Sequence, residues 1–293
     1  MQREKGDLSI FCEKCDSMKI YLPSNYYREK SAEQTKPYPG ESHEGWGREM
    51  LPIETNTTAI VCMHATFAGE DGQFPGWERC VDYIRRANKI CREDLRPFLD
   101  KVRKTDMKIV HVASTPSYLG NCPGYKKTLE LFGNEPDNYP SDYLAGDATV
   151  NELRNFKVHN SFPGDENYAD YAEGHKYYDF IKDTAPLDNE FVVTTSKQLV
   201  SYCRHFNIHH LIYTGFAINM CLMSSPCGMV DMSRYGVMCS SVRELVTAVE
   251  CRESARGEKH KEYGLYYDAL LYGLVYNRED LEKYVLDKLC TGE

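Results

Sequence analysis

Short apolar runs alternate along much of the chain with segments whose apolar positions recur every three or four residues. The run Thr-Thr-Ala-Ile-Val-Cys-Met at 57–63 is continuously apolar and of strand length, as a strand covered on both faces requires. From Trp77 the apolar residues Val81, Ile84, Ala87 and Cys91 fall on one helical face. A second helical stretch, 94–104, leads to a strand at 108–113. The rhythm resumes with a strand at 191–194, a helix at 197–204, a strand at 210–214 and a helix around Cys221. A strand at 235–239, a helix at 242–249 and a helical tail at 263–289 complete the expectation. Strand and helix in regular alternation imply a three-layer αβα fold with a central parallel sheet and right-handed crossovers.

Two stretches fall outside this rhythm. Residues 1–56 read as an N-terminal extension, with two short apolar strands followed by polar surface loop from about 23 to 49. Residues 114–189 are rich in Tyr, Asn, Asp, Pro and Gly, with one short helical piece at 125–132. So long an irregular segment inside a compact domain is expected to be a functional cover or an oligomer arm. The α/β domain itself is expected over 57–293, with 114–189 inserted in it.

Composition narrows the function classes. A hydrophobic content of 42% with 27% charged residues is that of a globular protein with a full core. The net charge is −9, and basic clusters are no larger than Arg85-Arg86, which argues against a nucleic-acid partner. No apolar run approaches the ~20 residues that span a bilayer, so no membrane partner is expected. The first residues lead into no apolar signal core, and a cytoplasmic location is expected. Twelve cysteines are present, and most, Cys62, Cys80, Cys91, Cys203, Cys239 and Cys251 among them, sit in apolar or helical runs that suit reduced, buried thiols. Cys12 and Cys15 form a C-x-x-C without a second ligand pair, so no metal site is expected there.

The segment Leu-Ile-Tyr-Thr-Gly-Phe-Ala-Ile-Asn-Met-Cys at 211–221 is the most informative in the chain. It places Cys221 at the start of a helix, just beyond the C-terminal end of a strand. Ligands of open α/β sheets collect at that edge. A helix N-terminus favours thiolate, the nucleophilic form of cysteine. The alternative is a thiol that only packs the strand–helix joint.

Ala59-Ile-Val-Cys-Met-His-Ala-Thr-Phe67 and Gly215-Phe-Ala-Ile-Asn-Met-Cys221 resemble the first strand and the nucleophile motif of the isochorismatase-like cysteine hydrolases, which include nicotinamidases. The step from Leu199 to Gly215 is similar to the family's helix-to-strand spacing. The resemblance covers the first strand and the region from Phe191 onward. It implies a hydrolase that cleaves an amide or vinyl-ether type C–N or C–O bond with Cys221 as nucleophile, and a cis peptide at Ala217–Ile218 beside an oxyanion-binding turn. It also implies an Asp after the first strand and a Lys after a middle strand, and both are missing. Cys62 stands at the Asp position, and Thr194 near the Lys position, with Lys197 three residues on. His64 and His111 are the candidate replacement bases, since a Cys–His pair is a workable nucleophile and base. The Asp and two His that bind metal in nicotinamidase-like members have no counterpart after His111, so neither metal nor other cofactor is expected.

Loss of the general base supports a second expectation, a catalytically inactive relative that binds a small molecule or serves a structural role. Tyrosine is abundant, at 22 residues, many of them in the insertion (Tyr139, Tyr143, Tyr168, Tyr171, Tyr177, Tyr178) or the tail (Tyr263, Tyr266, Tyr267, Tyr272, Tyr276). They are expected to pack surfaces and interfaces, which points to a homo-oligomer, a dimer or higher.

Overall fold

The computed structural model describes residues 19–30, 35–137 and 146–291. Cys12, Cys15, Tyr139 and Tyr143 lie outside the described residues. Strands β1 (Lys19–Arg28), β2 (Gly45–Glu54), β3 (Thr58–Met63), β5 (Lys108–Val112), β7 (Phe191–Val193), β8 (His210–Phe216), β9 (Met238–Thr247) and β10 (Val275–Tyr276) form one sheet, in the order β2-β1-β10-β9-β8-β3-β5-β7. A separate two-stranded pairing joins β4 (Thr66–Phe67) to β6 (Asp179–Phe180). From β10 to β7 every pairing is parallel, as the alternating pattern predicts.

Helices lie on both faces. Helices α1 (Pro75–Cys80), α2 (Ile84–Ile90) and α3 (Arg96–Val102) follow β4, and α2 runs into α3 through a π-helical turn, Cys91–Leu95. The face of β3 that carries Ile60 and Cys62 packs on Ala87, Cys91, Leu95, Phe98 and Leu99 of this layer. On the same face lie α11 (Arg278–Leu281) and α12 (Asp287–Thr291). The opposite face, with Val61 and Met63, packs on α7 (Ser196–Phe206), α8 (Cys221–Ser224), α9 (Met229–Arg234) and α10 (Lys259–Leu271). Alternate side chains of β3 serve different layers, and all six of its residues are buried. Each large apolar side chain so buried contributes ~1.5–3 kcal/mol.

Four expectations are corrected. The stretch 23–49 is not all surface loop among its described residues: β1 and β2, ten residues each, pair as an antiparallel hairpin that extends the sheet beyond β10. It buries Ile20, Leu22 and Ile53 and leaves Lys19, Tyr21 and Pro52 wet, a one-sided pattern easily lost among polar residues. The described residues of the insertion are not chiefly loop either: besides α4 (Pro123–Phe132), where a short helical piece was expected, they hold α5 (Ala148–Asn160) and α6 (Asp165–Gly174). Residues 242–249 are not a helix. β9 continues through Thr247, burying Val242, Leu245 and Val246, and shifts register against β8 between Tyr213 and Gly215. That shift breaks the period-two pattern and leaves apolar residues at helical spacing. The tail, expected to be helical, is interrupted by β10.

Candidate active site

Strand β3 has β5 on one side and β8 on the other, so the strand order reverses there and a crevice opens at the carboxyl ends. Gly215 lets the two strand ends meet. Its φ is +105°, and a Cβ at this position would lie 1.9 Å from the Met63 carbonyl oxygen. Beyond it the chain turns through a cis Phe216–Ala217 bond. The cis bond was expected one residue later, at Ala217–Ile218. β8 ends at Phe216, and the Ile218 N–H already returns to the sheet by donating to the Thr247 carbonyl at 2.9 Å, so the turn begins earlier. Asn219 fixes the turn from the other side: its Nδ2 donates to the Val249 carbonyl at 2.9 Å, and its Oδ1 accepts the Val249 N–H at 3.0 Å.

Cys221 follows as the first residue of α8 and is half-buried. Since α8 is a single turn of four residues, the long helix dipole expected behind the thiol is not there. What the turn does supply is an orphan donor. The Met220 and Leu222 N–H groups both bond the Ala217 carbonyl at 3.1 Å, whereas the Cys221 N–H has no protein acceptor among the described residues.

Cys221 opens into a cavity of about 310 Å³ whose wall also includes His64, Trp77, Tyr83, Tyr178 and Thr194. His64 is the residue after β3. Its φ is +51°, a left-handed conformation unusual for a residue with a Cβ, and its N–H donates to the Val112 carbonyl at 2.9 Å. Burial pushes the imidazole down to about 4, so His64 is neutral at pH 7 and a weaker base than a solvated histidine. Burial raises the Tyr83 and Tyr178 phenols, and the Cys221 thiol close to both raises them further. The far wall comes from the insertion. Trp77 lies parallel to His175 (ring centroids 4.7 Å apart) and to Tyr178 (5.9 Å). Among the described residues no Asp, Glu, Lys or Arg lines this cavity.

The other candidates are not brought here. Cys62 is buried on the face of β3 turned to α2 and α3, and burial raises its thiol, so it cannot replace a carboxylate base. His111 pairs in register with Cys62 but serves a different network: its Nε2 lies 2.9 Å from Glu190 Oε2. Burial lowers the His111 pKa, so the neutral ring donates this hydrogen bond. Burial works against the Glu190 carboxylate, yet the bonds from His111 and from the Arg103 guanidinium (2.8 and 3.1 Å) bring it down to about 2. Lys197 does not line the cavity either, and its Nζ pairs with Glu135 at 3.1 Å. Thr194 does line it, with its hydroxyl donating to Gln198 Oε1 at 3.2 Å. Trp77, Tyr83, Ser114 and His175 were not marked as site residues by the sequence. The one available signal was Trp77, one of only two tryptophans. The described residues contain no group of three His, Cys, Asp or Glu that could hold a metal ion.

No protein-family model matches the chain, and no curated protein matches it. Solved structures similar to it include a cysteine hydrolase from Pseudomonas syringae pv. phaseolicola 1448A, at 11% identity and a TM-score of 0.45, over 82% of this chain and 96% of that one. An isochorismatase-like hydrolase from Alkaliphilus metalliredigens is 16% identical with a TM-score of 0.41, over 78% of this chain and 98% of that one. A nicotinamidase from Staphylococcus aureus is 11% identical with a TM-score of 0.32, over 75% and 99%.

Proposed function

We propose that this protein is a cysteine hydrolase acting on a small molecule without formal charge, with Cys221 as nucleophile and His64 as its proton acceptor. The observation that carries this reading is that Cys221 and the neutral, conformationally strained His64 line one cavity at the sheet's switch point. In this mechanism His64 takes the Cys221 proton as the sulfur attacks an amide carbon; with a vinyl ether the imidazolium gives that proton to the terminal alkene carbon, and the sulfur bonds the ether carbon that is thereby made electrophilic. With an amide, the Cys221 N–H meets the developing oxyanion, a contribution worth ~3 kcal/mol where such a donor is well placed. The imidazolium then protonates the leaving group, and water releases the product. Planar ligands are favoured by the ring wall of Trp77, His175 and Tyr178. A second reading, a small-molecule-binding protein without turnover, is favoured by the lack of a carboxylate among the described residues of the cavity wall.

Two measurements separate the readings: turnover of a panel of uncharged amides and vinyl ethers, and ligand-induced stabilisation. The hydrolase reading predicts turnover that Cys221→Ala abolishes and His64→Gln lowers ~10²–10⁴-fold. Turnover retained by Cys221→Ala would refute Cys221 as nucleophile. Thermal stabilisation by panel members without turnover would establish the binding reading.

A further inference from the structure

A second cysteine–histidine pair lies outside the cavity. Cys251 was expected to be buried, but it is exposed, in the loop between β9 and α10. Its Sγ lies 3.9 Å from His260 Nε2. His260 Nδ1 is 3.0 Å from the Val249 carbonyl oxygen, which can only accept, so Nδ1 carries the proton of the neutral ring. The lone pair of Nε2 is thereby turned toward the thiol. The buried Glu250 carboxylate holds the start of α10 by accepting the His260 and Lys261 N–H groups at 3.1 and 3.0 Å. The ring is thus positioned from the backbone upward. Ser254, itself buried, places its hydroxyl 3.5 Å from Sγ, where it can donate to a thiolate. The remaining charged neighbour at the sulfur is Glu253, whose Oε2 accepts from the thiol at 3.3 Å. Nucleophile, base and an orienting group for the base are the parts of an activated thiol.

We propose that Cys251 and His260 form a redox-modification site that takes small disulfides by thiol–disulfide exchange. His260 Nε2 accepts the Cys251 proton, and the thiolate attacks one sulfur of the disulfide. The sulfur–sulfur bond of the small molecule breaks as the Cys251 mixed disulfide forms. The departing thiolate takes the proton from the imidazolium and leaves as a free thiol. Cys251 is oxidised and half of the small disulfide is reduced, so the exchange needs no other oxidant.

Cys290 is also exposed and provides an internal reference. The test treats the full chain with glutathione disulfide at neutral pH and follows adduct formation at both cysteines by peptide mass spectrometry. Cys251 is expected to react about tenfold faster than Cys290, because His260 Nε2 is placed to take its proton as the sulfur attacks. His260→Gln should bring Cys251 down to the Cys290 rate, with the Cys290 rate unchanged as evidence that the fold is intact. Glu253→Gln should not lower the Cys251 rate. The proposal is overturned if Cys251 reacts no faster than Cys290, if His260→Gln leaves it fast, or if Glu253→Gln slows it instead.

Discussion

At the scale of single residues, Gly215 shapes the site, whereas Glu190 holds the fold together away from it. Gly215→Ala forces a Cβ to within 1.9 Å of the Met63 carbonyl oxygen at a φ of +105°. It is expected to destabilise the protein by at least ~3 kcal/mol, read as a lowered urea midpoint. Glu190 ties β5 and α3 to the loop ahead of β7, since its carboxylate accepts from His111, Arg103 and the Leu187 N–H (2.9 Å). Arg103→Met leaves that buried carboxylate without its cation and should cost ~3 kcal/mol. The same substitution should leave Cys221 alkylation unchanged, because neither Arg103 nor Glu190 lines the cavity.

Acid titration belongs to this scale as well. Burial lowers His64 and His210 from 6.5 to about 4, so the folded state binds fewer protons than the unfolded chain between those values. The stability they contribute is complete above pH 6.5 and is lost as pH falls toward 4, by roughly 1–3 kcal/mol each. Glu190 acts in a lower window: its contribution is present above 4.5 and is lost as pH falls toward 2. Buried Asp268, whose carboxyl burial pushes well up, works in the opposite direction above 3.8, so unfolding free energy measured from pH 8 to 3 should decline below about 6.5 by the excess of the two histidines over Asp268. His210→Gln should flatten the upper part of that decline; an unchanged slope would refute the assignment.

At the scale of elements, legibility followed the environment of each run. Strands β3, β5, β7 and β8 were readable because both faces are covered, so their residues are predominantly apolar and do not alternate. The Cys221 turn was readable because a strand end, a glycine and a cysteine followed one another in sequence. β9 was not, because its register shift disrupts alternation and places Val242, Leu245 and Val246 at helical spacing. The cavity wall was less legible still. Tyr171 and Tyr178, read as surface residues, reach the site because the insertion folds over α1, and only the tertiary structure shows it. His111 and Cys62 failed as candidates for one reason: a pleated strand turns alternate residues to opposite faces, and sequence proximity to the strand end does not choose the face.

Across the whole molecule, the sheet is longer than the α/β domain first delimited at residue 57. The hairpin of β1 and β2 covers β10, and Asn25 Nδ2 binds the Val275 carbonyl at 2.8 Å. Arg48 adds an ion pair to Asp280 at 2.8 Å. A chain beginning at residue 57 should therefore leave β10 as an exposed edge and aggregate or lose cooperative unfolding. A truncated chain that stays monomeric with an unchanged urea midpoint would show that the hairpin is an accessory.

The neutral cavity wall also bears on how a ligand arrives. The protein carries a net charge of −9, yet no formally charged side chain among the described residues lines the cavity. The affinity of an uncharged ligand should then stay level from about 0.01 to 1 M ionic strength, although the Debye length shrinks from ~30 to ~3 Å over that range. An anionic ligand would instead be repelled at a distance and would bind faster as salt is added.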